Sequence, residues 1–132
     1  MSPRPLFRDS LKRCNESPDF ISAFYKRFLS SSEDILYLFR NTDFTRQEAM
    51  LRDSLALIAD ATEGDTWGLI HLRERARSHS REQLNIEPRF YDLWLEACID
   101  TAEAYDSQWN PEIEQAWRSI LGYGIKEMTR YY

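Results

Sequence analysis

The chain has 132 residues, enough for one domain that buries a sizeable core without disulfide or metal staples. Aromatic residues make up 14% of it, and rings in that proportion need a roomy interior or a wall against something flat. A net charge of −5 speaks against a general phosphate-binding surface, and so against nucleic acid as a partner. Cys14 and Cys98 both fall on apolar stripes and read as buried free thiols. No Cys-x-x-Cys-His run offers covalent haem attachment. The first residues, Met1 to Arg8, lack the apolar core of a signal peptide, and no apolar run approaches the ~20 residues that span a bilayer. These features lead us to expect a soluble, cytoplasmic protein without membrane contact.

Helical period dominates throughout, and no run alternates strictly enough for a sheet. Phe7, Leu11 and Cys14 form a first stripe. Ser17-Pro18-Asp19 opens a second helix, with Phe20, Phe24 and Phe28 on one face and Ile21 and Tyr25 beside them. Ser31-Ser32-Glu33 marks a third start, and a short element from Ile35 to Phe39 ends at the turn cluster Asn41-Thr42-Asp43. Thr45 and Glu48 are spaced as a capping box, which predicts a helix starting there with Gln47, Leu51, Leu55 and Ile58 on one side. Glu63-Gly64-Asp65-Thr66 is the one clear mid-chain loop.

The next helix is predicted over roughly Gly68 to Leu84, with Leu72, Ala76 and His79 at i, i+4 and i+7. An imidazole thus continues an apolar stripe near a helix end and faces the next helix, opened by Pro88. An all-helical protein offers an axial ligand to a flat iron cofactor in this way, although a satisfied core histidine has the same pattern. The helix after Pro88 carries Phe90, Trp94, Ala97, Cys98, Thr101 and Tyr105 inward. Asn110-Pro111-Glu112 starts the last helix, striped by Ile113, Trp117, Ile120, Gly124 and Met128. Gly122 and Gly124 weaken that helix by roughly 1 kcal/mol each against Ala, so close packing is expected at both. The total is about seven helices in one all-α domain spanning the whole chain.

This ordered set resembles the globins, in particular the bacterial single-domain, flavohaemoglobin-like branch, from about Phe20 to Met128. Phe24-Tyr25-Lys26-Arg27-Phe28 resembles the second globin helix with its distal tyrosine, and Leu38-Phe39 the phenylalanine that packs flat on the haem. Gln47-Glu48-Ala49-Met50-Leu51 resembles the distal helix, with a glutamine over the iron and a leucine one turn later. His79 matches the proximal histidine, Ile86-Glu87-Pro88-Arg89-Phe90-Tyr91 the following corner, and Ala116-Trp117 the core face of the last helix. The chain departs from the flavohaemoglobins in a longer Ser80 to Glu87 corner. It also departs at their late glutamate, whose register falls near Tyr132, where there is no carboxylate. On this reading no flavin or nicotinamide reductase domain is expected to follow.

The resemblance implies a globin fold, a b-type haem and dioxygen or another diatomic gas as ligand. It makes His79 the iron ligand, a neutral imidazole held through its other nitrogen by the Ser78 hydroxyl or a carbonyl one turn back. It makes Tyr25 and Gln47 the distal hydrogen-bond donors, where a core aromatic and a solvated first-turn residue are the plain alternatives. Phe39, Leu51, Ile86 and Trp94 become apolar walls of the porphyrin pocket, with Tyr91 on the proximal side or half-exposed. His71 lies eight residues before His79, about 80° around the helix, and reads as surface. Arg73, Arg75, Arg77 and Arg81 read as a solvated face, the alternative being that one or two of them pair with haem propionates. Three functions stay open: reversible gas binding for storage, sensing or detoxification; nitric oxide dioxygenase or peroxidase-like catalysis with an external reductant; and a non-haem interaction module. Trp109 with Tyr131-Tyr132 offers spare aromatic surface for a homodimer.

Overall fold

The computed structural model describes residues 2–64, 66–79 and 86–130. Among them every regular element is helical: α1 Pro3–Asn15, α2 Phe20–Ser30, α3 Glu33–Leu38, α4 Phe44–Thr62, α5 Thr66–Ser78, α6 Arg89–Tyr105 and α7 Pro111–Arg130. None is long and apolar enough to cross a membrane.

Local chemistry explains where the helices start. Ser32 accepts from the Asp34 N–H at 3.1 Å and caps α3, and Asn110 accepts from the Ile113 N–H at 2.8 Å at the head of α7. The α4 start differs from the capping-box expectation. Asp43 is the cap, accepting from the Thr45 and Arg46 N–H groups, so the helix begins at Phe44. A carboxylate already in place on the preceding turn outcompetes the threonine one residue inside. Gly64 adopts φ +81° just after α4, a left-handed conformation that turns the chain toward α5.

The core is one cluster to which every helix contributes. α7 is its axis, packing against α1, α4, α5 and α6, while α2 lies on α6. Trp117 and Phe7 are fully buried and meet edge to face at 4.7 Å. Cys14 and Cys98 are buried and free, and burial pushes the Cys14 thiol up to about 12. Gly124 is required by packing, since a Cβ there would meet Ile58 Cδ1 at 2.9 Å. Gly122 is not: a Cβ would meet nothing within 4 Å, contrary to the expectation of close packing at both glycines. Trp109 also departs from expectation. It is half-buried against the Trp117 ring at 6.1 Å and belongs to the core margin rather than to spare surface. Its expected partners Tyr131 and Tyr132 lie outside the described residues.

One buried polar knot ties α1 to the α6–α7 corner. The Asp106 carboxylate is fully enclosed. It accepts from Ser10 Oγ at 2.6 Å, from Arg13 Nε at 2.6 Å and Nη2 at 3.0 Å, and from the Gln108 N–H at 2.9 Å. Ser10 Oγ in turn accepts from the Trp117 indole N–H at 2.9 Å. Burial alone would raise the Asp106 pKa, but Arg13, Ser10 and the Gln108 N–H outweigh it and hold the carboxyl below its ordinary range.

Candidate functional site

A cleft enclosing about 1070 Å³, its open mouth included, lies between the α2–α4 side and the α5–α7 side. Tyr25, Phe39, Gln47, Leu51, His79, Ile86, Tyr91 and Trp94 all line it, so residues spread over 70 positions of sequence converge there. The stripes explain the convergence. Helix faces that bury Phe24 and Phe28 on α2, Leu51 and Leu55 on α4, and Leu72 and Ala76 on α5 turn their flanking positions toward the same space.

His79 lies in the turn just after α5, which ends at Ser78 rather than running on through it; residues 80–85, with the long corner and Arg81, lie outside the described residues. Its backbone N–H still donates to the Arg75 carbonyl at 3.0 Å, and its own carbonyl accepts from the Ile86 N–H at 3.0 Å, which closes the corner. The ring Nδ1 sits 2.8 Å from the Arg75 carbonyl oxygen and 3.1 Å from Ser78 Oγ. A carbonyl can only accept, so Nδ1 carries the proton and donates. Nε2 is therefore the basic nitrogen, and no hydrogen bond from the described residues engages it. Burial, the largest influence, lowers the His79 pKa. The Arg75 carbonyl bond opposes that shift and the Arg75 charge adds to it, so the imidazole is kept neutral. His71 is exposed instead, stacked on Trp67 at 5.9 Å.

The aromatic wall is continuous. Phe39 meets Tyr25 at 6.2 Å, Phe28 at 5.7 Å and Phe44 at 6.3 Å, while Trp94 stands edge-on to Phe24 at 6.4 Å. The Tyr25 hydroxyl donates to the Gln47 main-chain carbonyl at 3.3 Å, a long bond. Burial pushes its phenol up to about 12, so it stays a protonated donor. Tyr25 and Gln47 are thus neighbours through the backbone, a link no side-chain pattern announces.

Polar atoms in the cleft are poorly satisfied. Arg75 Nη1 and the Tyr91 hydroxyl are sealed from solvent without a hydrogen-bond partner, and burial pushes the Tyr91 phenol up to about 12. Arg73 and Arg77 are exposed, which sets Arg75 apart from the other described arginines of α5. Sequence reasoning also missed Glu127 on α7. Its side chain is 13% exposed and reaches Arg130 at 3.5 Å, and its Oε2 is buried without a partner. The signal was available, since Glu127 interrupts an apolar face between Gly124 and Met128.

A cleft with one basic imidazole nitrogen, apolar aromatic walls and unmet polar atoms fits haem. No group of three or more His, Cys, Asp or Glu among the described residues gathers to hold a bare ion. Among the described residues, His79 offers a single donor of the kind that a porphyrin iron takes, the porphyrin supplying the other ligands.

No protein-family model matches the chain, and no curated protein sequence matches it. Among solved structures, it is similar to a crystal structure of a Pseudomonas aeruginosa PAO1 protein described as structurally highly homologous to a human hemoglobin. The two share 34% sequence identity and a TM-score of 0.93, over 99% of this chain and 98% of that one.

Proposed function

Because this chain belongs to the globin family, we propose that it binds b-type haem through His79 and takes up dioxygen or another diatomic gas reversibly. The observation that carries this reading is the tautomer of His79: Nδ1 is committed to the Arg75 carbonyl, and Nε2 is left basic at an apolar cleft. A metal-binding histidine is held this way, with its second nitrogen donating to a carbonyl that fixes both ring orientation and tautomer.

Haem supplies an iron that binds a gas molecule when reduced. The chain supplies the rest. Phe39, Leu51, Ile86 and Trp94 would hold the cofactor between apolar side chains and exclude water, and Tyr91 lines the same cleft. Tyr25 and Gln47 provide donors for a bound ligand with partial negative charge. Each hydrogen bond contributes about 0.5–1.5 kcal/mol, more against a charged acceptor, and ~1.4 kcal/mol is tenfold in affinity.

The test is an optical spectrum of the protein loaded with haemin and then reduced. A Soret band in the wild type and its loss in His79→Ala are expected; a colourless wild type, or an unchanged His79→Ala spectrum, overturns the assignment. Tyr25→Phe should speed dioxygen release by about tenfold, measured by stopped-flow, with an unchanged rate removing the tyrosine from the reading.

A further inference from the structure

The cleft's own chemistry carries one step that rests on the haem reading. Arg75 lies on α5 four residues before His79, and both line the cleft. Its carbonyl holds His79 Nδ1 at 2.8 Å. Its guanidinium is half-buried, with Nη1 sealed from solvent and without a partner. Among the described residues no carboxylate comes within ion-pair distance of Arg75, and Glu127, the enclosed acid of α7, is engaged by Arg130. Among the described residues nothing offsets the guanidinium charge behind the imidazole, and the acceptor on Nδ1 is a neutral carbonyl rather than a carboxylate.

An axial histidine donates electron density in proportion to its basicity. A carboxylate on its outer nitrogen raises that basicity, and a nearby cation lowers it. A weakly donating histidine on a cationic face favours the ferrous over the ferric state. A sealed guanidinium nitrogen without a hydrogen-bond partner costs the fold rather than stabilises it, so stability does not account for Arg75. We infer that Arg75 is a positioning and tuning residue: its carbonyl orients His79, and its guanidinium holds the iron toward the reduced, gas-binding state and away from oxidising chemistry. The two halves of the role are separable by substitution, because the carbonyl survives any side-chain change.

The experiment uses the haemin-loaded protein with Arg75→Met and Arg75→Gln, which remove the charge, and Arg75→Lys, which keeps it. The readouts are the ferric/ferrous midpoint potential and the iron–histidine stretching frequency of the ferrous form. Both neutral variants should move the equilibrium toward ferric on the order of tenfold, about 59 mV for one electron, and raise the stretching frequency. Arg75→Lys should stay near the wild type. The shift should persist with haemin whose propionates are esterified. Unchanged potentials in the neutral variants, no rescue by lysine, or a shift that vanishes with the ester overturns the inference and leaves the haem reading standing. A wild type that takes up no haemin overturns both. The paired neutral variants keep the result readable if one of them folds poorly.

Discussion

Two sets of buried polar atoms are treated in opposite ways in this chain. At the α1–α6–α7 corner, Asp106 accepts from Ser10, Arg13 and the Gln108 N–H, and Ser10 completes the set by accepting from Trp117. In the cleft, Arg75 Nη1 and the Tyr91 hydroxyl are enclosed and meet nothing. Enclosure without a partner destabilises a fold, whereas a fully satisfied knot holds it together. The contrast separates the part of the molecule built for folding from the part built around something else.

Removing Asp106 should have the largest effect on stability. Asp106→Ala strands the Ser10 hydroxyl proton and the Arg13 guanidinium, while the Trp117 indole keeps its acceptor on Ser10, and loss of one partner from a buried charged pair costs about 3–5 kcal/mol. Arg13 keeps a side chain 21% exposed and can recover some hydration, which places the expected loss near ~3 kcal/mol in chemical denaturation. A loss under ~1 kcal/mol would show that the knot is decorative. The same carboxylate sets an acid limit. Its pKa in the folded chain lies below its ordinary value of 3.8, so its contribution is complete above that pH and disappears as the pH falls toward the folded value. Asp106→Asn should flatten that acid limb of the stability profile, and a limb of unchanged slope would place its origin elsewhere.

The cleft should respond with the opposite sign. Tyr91→Phe deletes an enclosed hydroxyl that has no partner, so the protein without haem should gain about 1 kcal/mol. A loss of similar size would mean that the hydroxyl is satisfied in solution. The smallest effect contrasts two positions of α7. Gly122→Ala meets open space and should gain about 0.5–1 kcal/mol from helix propensity. Gly124→Ala must push Ile58 aside and should lose about 1–2 kcal/mol. Equal thermal shifts in the two variants would remove the packing argument at Gly124.

Much of the cleft was legible because it is built from periodic stripes. Spacing alone put Leu72, Ala76 and His79 on one stripe, and the ordered resemblance supplied Tyr25, Phe39 and Gln47 from other elements; of these, Leu72, His79, Tyr25, Phe39 and Gln47 line the same space. The satisfied knot was not legible. Asp106 follows the end of α6 as an unremarkable carboxylate, and its partners Ser10 and Arg13 lie more than 90 positions away, joined to it only by the packing of α1. Arg75 was legible as a residue but not as a special one. Four arginines crowd that stretch of sequence, and only the rotation of α5 and its burial against α7 separate Arg75 from the exposed Arg73 and Arg77. The helix end at Ser78 was hidden for a related reason. Its last turn is closed by the bonds of His79 and Ser78 to the Arg75 carbonyl, which no apolar pattern records.

The bond from the Tyr25 hydroxyl to the Gln47 carbonyl has a consequence for selectivity. A donor engaged by its own main chain is available to an incoming molecule for only a fraction of the time, and apparent affinity falls by that fraction. If the bond forms about half of the time, the reduction is about twofold for any visitor that needs the donor, and absent for one that does not. On the gas-binding reading proposed above, the discount would fall on polarised ligands such as dioxygen and spare a weakly accepting one such as carbon monoxide. One main-chain hydrogen bond, rather than the size of the cleft, would then bear on discrimination between gases.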